Sequence, residues 1–256
     1  MKLVVLGGSA AGPNTGAGCS GYLIVVGDTA IAIDLGPGTL PELRRHVDYR
    51  ELSAIVVSHY HLDHVLDIGS FRYLGKYNPI PMKRRVPLHI PPGTAGKFAS
   101  WAGVFGDPHE PAFLEAVFEI VKYDPAEMLR IGSISIEFAR TAHPILAQAM
   151  RVTGPGGSAF GYTADTGPSA DLSGFFAGVN LLAAEATESV DTNQAAEARG
   201  HLTPAEAGVM ARNAGAQALV LAHRWEELGL DTAAIEARNE FLGPVMVARP
   251  GLTVFI

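Results

Sequence analysis

Cysteine is nearly absent from this 256-residue chain, in which Cys19 is the one example. That excludes an intrachain disulfide framework and a cysteine-rich metal cluster, so any metal chemistry must run on His, Asp and Glu. Positive charge is also short. Nineteen Lys and Arg stand against 26 Asp and Glu, a formal net charge of −7, which leaves no broad basic surface for nonspecific nucleic-acid binding and favours a small substrate. Long apolar runs are missing too: no segment approaches the ~18 residues of a membrane span. The opening MKLVVLGG carries one lysine, a short apolar run and glycines, and reads as a first strand rather than an export signal. A cytoplasmic protein without a membrane partner is the expectation.

What is present is enough apolar material, 48%, to bury one substantial core, so residues 1–256 read as a single domain. Short apolar runs at Leu3–Leu6, Tyr22–Val26 and Ala30–Asp34, with Gly27 and Asp28 between the last two, predict a β-meander. The loop Gly7–Gly18 is glycine-rich, but it lacks the Lys-Ser/Thr ending of a phosphate-binding loop and the spacing of a dinucleotide fingerprint. It reads as a connector, or as a loop at the rim of a site. Thr39 and Pro41 open a short helix, Ala54–Val57 a strand, and residues 65–74 a helix. Tyr77–Pro92, with NPIP, RRVP and PPG, reads as a surface excursion, and 77–118 as a segment able to cap a pocket. The alternative for Phe98, Trp101, Phe105, Phe113 and Phe118 is that they complete the core.

The second half alternates in the same way. Strands are expected at Ile134–Ala139, Ala147–Val152, Ala159–Thr163, Val179–Ala184, Ala218–Ala222, Val245–Val247 and Leu252–Phe255. Helices are expected at Thr203–Asn213, where Thr203, Pro204 and Glu206 form a capping box, and at Thr232–Phe241. Lys83–Arg85 reads as solvated loop surface, its alternative being a phosphate contact.

The chemistry concentrates in SHYHLDH, Ser58–His64, which sets His59, His61, Asp63 and His64 directly after the apolar AIVV strand. Imidazole and carboxylate ligands together suit zinc, manganese or iron, whereas magnesium and calcium favour oxygen throughout. Three more candidates stand just beyond predicted strands: His143 in RTAHP, Asp165 in GYTADTG and His223 in LVLAHRW. A strand end fixes the direction of a ligand, and an exposed helical histidine would need several rotamers frozen first. A lone histidine of this kind is more often structural, but the joint pattern argues for ligands.

His59-x-His61-x-Asp63-His64, followed by His143, Asp165 and His223, resembles the complete ligand series of the metallo-β-lactamase superfamily. The resemblance implies an α/β fold, a four-layer αβ/βα sandwich with two facing mixed β-sheets, helices outside and the site at one edge. It implies that His59, His61 and His143 hold one divalent cation, that Asp63, His64 and His223 hold a second, and that Asp165 bridges them. The expected metals are two Zn²⁺, with Mn²⁺ as the alternative. Asp63 would then be catalytic while also binding metal, and Asp34 would orient a ligand histidine. A homodimer is the expectation carried over from such relatives.

Outside the ligands, AEATES (Ala184–Ser189) and GHLTPAEAG (Gly200–Gly208) resemble the paired Glu and His motifs of the transfer-RNA 3′-processing branch and its cyclic-nucleotide phosphodiesterase relatives. By that resemblance Glu185 orients His201, and His201 protonates the leaving alkoxide as a P–O bond breaks, a step that needs an acid near neutral pH. The bland reading ends a strand at Glu185 and anchors a helix with His201. Residues 166–222 hold no basic run, which departs from the long basic arm of the bacterial RNA-processing enzymes. The leading expectation is therefore a metal-dependent phosphodiester hydrolase opening 3′,5′-cyclic nucleotides to 5′-monophosphates, with a small-molecule substrate and no extended nucleic acid. The alternatives are a lactonase or related acyl hydrolase, an RNA-processing endonuclease, and an inactive metal-stabilised binding protein. Tyr162, Arg140 and Arg224 are candidate pocket residues.

Overall fold

The computed structural model describes residues 1–105, 113–189 and 192–256. Its first half runs β1 (Lys2–Gly7), β2 (Gly21–Val26), β3 (Thr29–Leu35), α1 (Thr39–His46), β4 (Ala54–Val56), α2 (Leu62–Tyr77), β5 (Val86–Ile90), α3 (Ala95–Phe105) and β6 (Phe118–Lys122). The second runs β7 (Leu129–Ile131), β8 (Ile134–Arg140), β9 (Gln148–Thr153), β10 (Ala159–Tyr162), β11 (Leu181–Glu185), α4 (Pro204–Ala214), β12 (Ala218–Ala222), α5 (Leu230–Arg238) and β13 (Val245–Val247). The last strand, β14 (Thr253–Phe255), returns to pair with β1, so the sheet orders are β14-β1-β2-β3-β4-β5-β6 and β13-β12-β11-β10-β9-β8-β7.

Both sheets are mixed. In the first, β1, β2 and β3 are antiparallel and β3 to β6 parallel. In the second, β7 to β10 are antiparallel and β10 to β13 parallel. The meander expected at the start of the chain is present, its two-residue turn made by Gly27 at φ 55° and Asp28.

Period-two alternation explains the layers. β1 sends Leu3 and Val5 into the core between the sheets and Val4 and Leu6 to the outer side, where Leu43, Val65, Ile68 and Phe71 of α1 and α2 cover them. β12 does the same in reverse: Val220 and Ala222 point inward, while Leu219 and Leu221 meet Ala207, Ala211, Ala233 and Ala237 of α4 and α5. Each sheet is apolar on both faces, and a four-layer α/β/β/α sandwich is the arrangement that buries all of it. Among the described residues no helix is long and apolar enough to cross a membrane.

Two sequence expectations are corrected. Tyr77–Pro92 is not simply a surface excursion, because it contains β5, a buried strand between β4 and β6. Pro87 is tolerated there because β4 pairs with β5 only from Leu88 onward, so the missing amide falls beyond the shorter strand. Thr39 does not cap α1. It is the first helical residue, its hydroxyl donates to the Gly36 carbonyl, and the amide of Leu40 is capped across space by Asp67 Oδ2 at 2.8 Å.

Of the 77–118 segment, residues 106–112 lie outside the described residues. Phe98, Phe113 and Phe118 are buried in the outer core, while Phe105 is 51% exposed.

Candidate metal centre

The chemistry-bearing side chains gather at one edge of the sandwich, on loops that leave the C-terminal ends of strands from both sheets, the usual place for a site in such sheets. His59, His61, Asp63 and His64 follow β4 and open α2, His143 follows β8, Asp165 follows β10, Glu185 ends β11 and His223 follows β12. Asp63 lies in the first turn of α2, where the helix N-terminus favours negative charge. Three non-glycine residues among those described have positive φ, Asp34 at 56°, Ala164 at 50° and His223 at 52°. All three are at this edge. Left-handed backbone costs of order 1–3 kcal/mol per such residue, and it is here spent on aiming Asp34, Asp165 and His223.

The ligand atoms form two groups with one shared member. His59, His61, His143 and Asp165 make one cluster, and Asp63, His64, Asp165 and His223 the other. Asp165 lies between them: its Oδ1 is 3.2 Å from His64 Nε2, and its Oδ2 is 3.6 Å from His59 Nε2, 3.5 Å from His223 Nε2 and 3.9 Å from His143 Nε2.

Four of the five histidines are oriented from behind, while His61 Nδ1 faces His143 Nε2 at 3.1 Å. His64 Nδ1 meets Asp34 Oδ2 at 2.8 Å, His59 Nδ1 meets Ser58 Oγ at 3.1 Å, His143 Nδ1 meets the Gly200 carbonyl at 3.2 Å and His223 Nδ1 meets Thr187 Oγ1 at 2.7 Å. Such partners fix the tautomer and turn the other nitrogen inward. His59 Nε2 and His64 Nε2 are buried without a hydrogen bond. Orphaned buried nitrogens facing a shared carboxylate fit a pair of divalent cations, and the centre is that of a dinuclear metal-dependent hydrolase.

Electrostatics agree. Burial, then the neighbouring His64, pushes His59 well below its ordinary pKa, and burial lowers His61 and His143 as well, which favours neutral imidazoles able to ligate. Burial would also lower His64, but Asp165 and Asp34 outweigh it and hold it well above the ordinary value. Metal entering there displaces a proton. Asp63 and Asp165 are driven up by burial and pulled down further by the histidines beside them, and both are held as carboxylates.

Asp34 is fully buried, and its carboxylate also accepts from the Ser58 amide at 2.7 Å, the Ser58 hydroxyl at 2.6 Å and the Tyr162 hydroxyl at 2.8 Å. Tyr162 therefore reaches this centre from beneath, within the inter-sheet core. Arg224 is buried and tied to the carbonyls of Ala186, Glu188 and Leu228, and Arg140 is exposed at the end of β8. The glycine-rich loop lies beside this edge, with Asn14 Nδ2 donating to the Arg224 carbonyl at 2.9 Å.

His201 Nδ1 is 2.9 Å from Glu185 Oε1, and its ring lies 5.5 Å from that of His223 and 5.2 Å from that of His143. Burial would lower the His201 pKa, but Glu185 overrides it and pushes it up to about 9. Glu185 also accepts from the amides of Thr166 and Leu202 and the Thr187 hydroxyl. These donors engage the lone pairs of Glu185, which also forms a third cluster with His201 and His223, their atoms within 4.8 Å of one another. Thr187 and Ser58 were not singled out from sequence. Ser58 adjoins the ligand run, which was its available signal, whereas Thr187 in AEATES had none.

A model of the β-lactamase superfamily domain matches residues 29–224. A Bacillus subtilis (strain 168) protein called probable metallo-hydrolase YhfI is 31% identical over 256 residues, 98% of each chain. The crystal structure of B. subtilis YhfI, a metallo-β-lactamase fold protein, superimposes with a TM-score of 0.86 at 28% identity over 99% of each chain. Ribonuclease Z of Haloarcula marismortui is 27% identical, covering 98% of this chain and 96% of its own.

Proposed function

Because this chain belongs to the metallo-β-lactamase superfamily, we propose that its dinuclear centre hydrolyses phosphodiesters, with His201 as the acid that protonates the leaving oxygen. The observation that carries this is the Glu185–His201 pair set over the ligands His143 and His223. Hydrolysis of a lactone or thioester has no special need of an added acid at this point, whereas expulsion of a ribose alkoxide does.

His59, His61 and His143 would hold one cation, Asp63, His64 and His223 the other, and Asp165 both; Zn²⁺ is the expected metal and Mn²⁺ the alternative. When bound, the two cations would neutralise charge at the phosphoryl oxygens and lower the pKa of the attacking water, whose proton leaves to solvent. Asp63 orients that water. As its oxygen bonds to phosphorus and the P–O bond to the leaving group breaks, the proton on His201 Nε2 passes to the departing oxygen. Glu185 keeps Nδ1 protonated and stabilises the imidazolium beforehand, which is why the raised pKa suits an acid.

Two substrate classes have support. Similarity to Ribonuclease Z over nearly the whole chain favours an RNA-processing endonuclease, and it outweighs the cyclic-nucleotide reading expected from sequence. For the cyclic nucleotide speak the net charge of −7 and residues 166–222, with two arginines and no lysine.

The test compares metal-loaded protein, a metal-stripped control and His201→Ala on cyclic AMP and on a 3′-extended precursor tRNA. Cleavage of either, lost in both controls, supports the phosphodiester reading and names the class. Turnover of lactones that survives His201→Ala, without diester cleavage, replaces it with an acyl hydrolase. No turnover on any ester with both metals bound leaves a metal-stabilised binding protein.

A further inference from the structure

Tyr60 stands between the ligands His59 and His61, its ring 6.4 Å from that of His61, yet it takes no part in either cluster. It lines a cleft of about 250 Å³ with Leu62, Val65, Lys97, Phe98 and Trp101. Leu62 and Val65 belong to the first turn of α2, the turn that carries Asp63 and His64. One wall of the cleft and two members of the second ligand cluster, Asp63 and His64, are thus parts of one rigid element. The opposite wall is α3, from the segment expected to cap the site.

The lining has a definite chemistry. Phe98 and Val65 are buried, but Leu62 is held 57% exposed on the motif helix itself. Trp101 meets Phe98 edge to face with centroids 6.5 Å apart. Lys97 Nζ donates to the Tyr60 hydroxyl and sits 4.2 Å from the centre of its ring. The phenol is fixed, and a cation stands beside it. Aromatic and aliphatic walls with one ammonium match a flat ring joined to an anion better than a sugar or a peptide. At about 250 Å³ the cleft is smaller than the ~300–1,000 Å³ of sites that enclose a whole ligand, so it takes one group of the substrate.

We propose that this cleft is a nucleobase subsite: a base attached to the scissile phosphodiester stacks against Trp101, beside the Tyr60 ring that Lys97 covers, and Lys97 faces the negative charge of the same nucleotide. The inference rests on the phosphodiester reading above. The ligands and His201 treat every diester alike, and the subsite gives the chain its preference for nucleotides over simple alkyl esters.

The chain has two tryptophans, so in metal-loaded Trp225→Phe protein Trp101 is the single fluorophore. Titration with AMP quenches it, and ribose 5-phosphate, which lacks the base, does not. Equal quenching by both, or none by either, overturns the subsite whether or not the protein hydrolyses diesters. A second arm uses two diesters with the same leaving group, thymidine 5′-p-nitrophenyl phosphate and methyl p-nitrophenyl phosphate. Trp101→Ala raises KM for the thymidine ester about tenfold or more, the scale of a lost base–aromatic stack, and by a larger factor than it raises KM for the methyl ester. Lys97→Met raises KM for the thymidine ester with its fold intact. Equal effects on both esters count against the subsite, while failure of the unmutated protein to cleave either counts against the diesterase reading alone.

Discussion

At the scale of single residues, Asp34 carries more of the centre than any ligand's neighbour. Its carboxylate accepts from Ser58 twice, from Tyr162 and from His64 Nδ1, and no proton donor at its place could do so. Asp34→Asn keeps a residue that tolerates positive φ but turns an amide N–H toward groups that themselves donate. The expected result is a 10- to 100-fold loss of metal affinity in chelator competition, with unfolding eased by about 1–3 kcal/mol from the unmatched donors. Unchanged affinity would mean that His64 is oriented by packing alone. The ligands were legible in the sequence because a metal needs particular side chains at strand ends, and HxHxDH leaves a compact trace. Asp34 was legible for the same reason, as an acid at the end of an apolar strand. Thr187 was not: its hydroxyl meets His223 Nδ1 across 36 positions, and nothing local in AEATES tells a second-layer hydroxyl from an ordinary loop threonine.

At the scale of elements, three site loops meet at Gly167. Its amide donates to the Ala142 carbonyl at 2.7 Å, next to His143, and a methyl group there would overlap the Arg199 carbonyl oxygen, two residues before His201. The obstacle is backbone, which cannot rotate aside. Gly167→Ala should move the His201 loop away from Asp165, lowering kcat about 100-fold, as a misplacement near 1 Å does, and destabilise the protein by about 1–3 kcal/mol. Wild-type kcat in this variant would show that the loop spacing has slack. By contrast Thr203→Ala removes the α4 capping box with Glu206 and should cost about 1 kcal/mol in urea unfolding while Glu185 still holds His201, leaving kcat close to normal. A collapse of kcat would mean that the cap, and not Glu185, sets the position of His201. That box was legible because Thr, Pro and Glu at fixed offsets have a local cause. β5 and β6 were not, since their pairing is long-range and Pro87 argues against a strand until the shortness of β4 is known. β7, three residues joined to β8 through Gly132 at φ 57°, was too short to register as a period.

For the whole molecule, the centre is also a clasp. His59, His61, Asp63 and His64 come from the first sheet, and His143, Asp165 and His223 from the second. Without cations, imidazoles and carboxylates, among them the orphaned Nε2 atoms of His59 and His64, face each other across the join between the sheets. Metal that binds the folded chain and not the unfolded one adds stability by mass action, about 4 kcal/mol when free metal exceeds Kd a thousandfold. For a chain of this length each kcal/mol moves Tm by about 2–4 °C, so chelation should lower Tm by about 8–16 °C, and returning Zn²⁺ or Mn²⁺ should restore it. Asp165→Asn weakens the one ligand common to both clusters, so its Tm should respond far less to added metal than that of the unmutated protein. A Tm indifferent to chelator, in protein from which metal has been shown to leave, would mean that the two inner sheet faces hold together on their apolar core alone and that the cations contribute chemistry without stability.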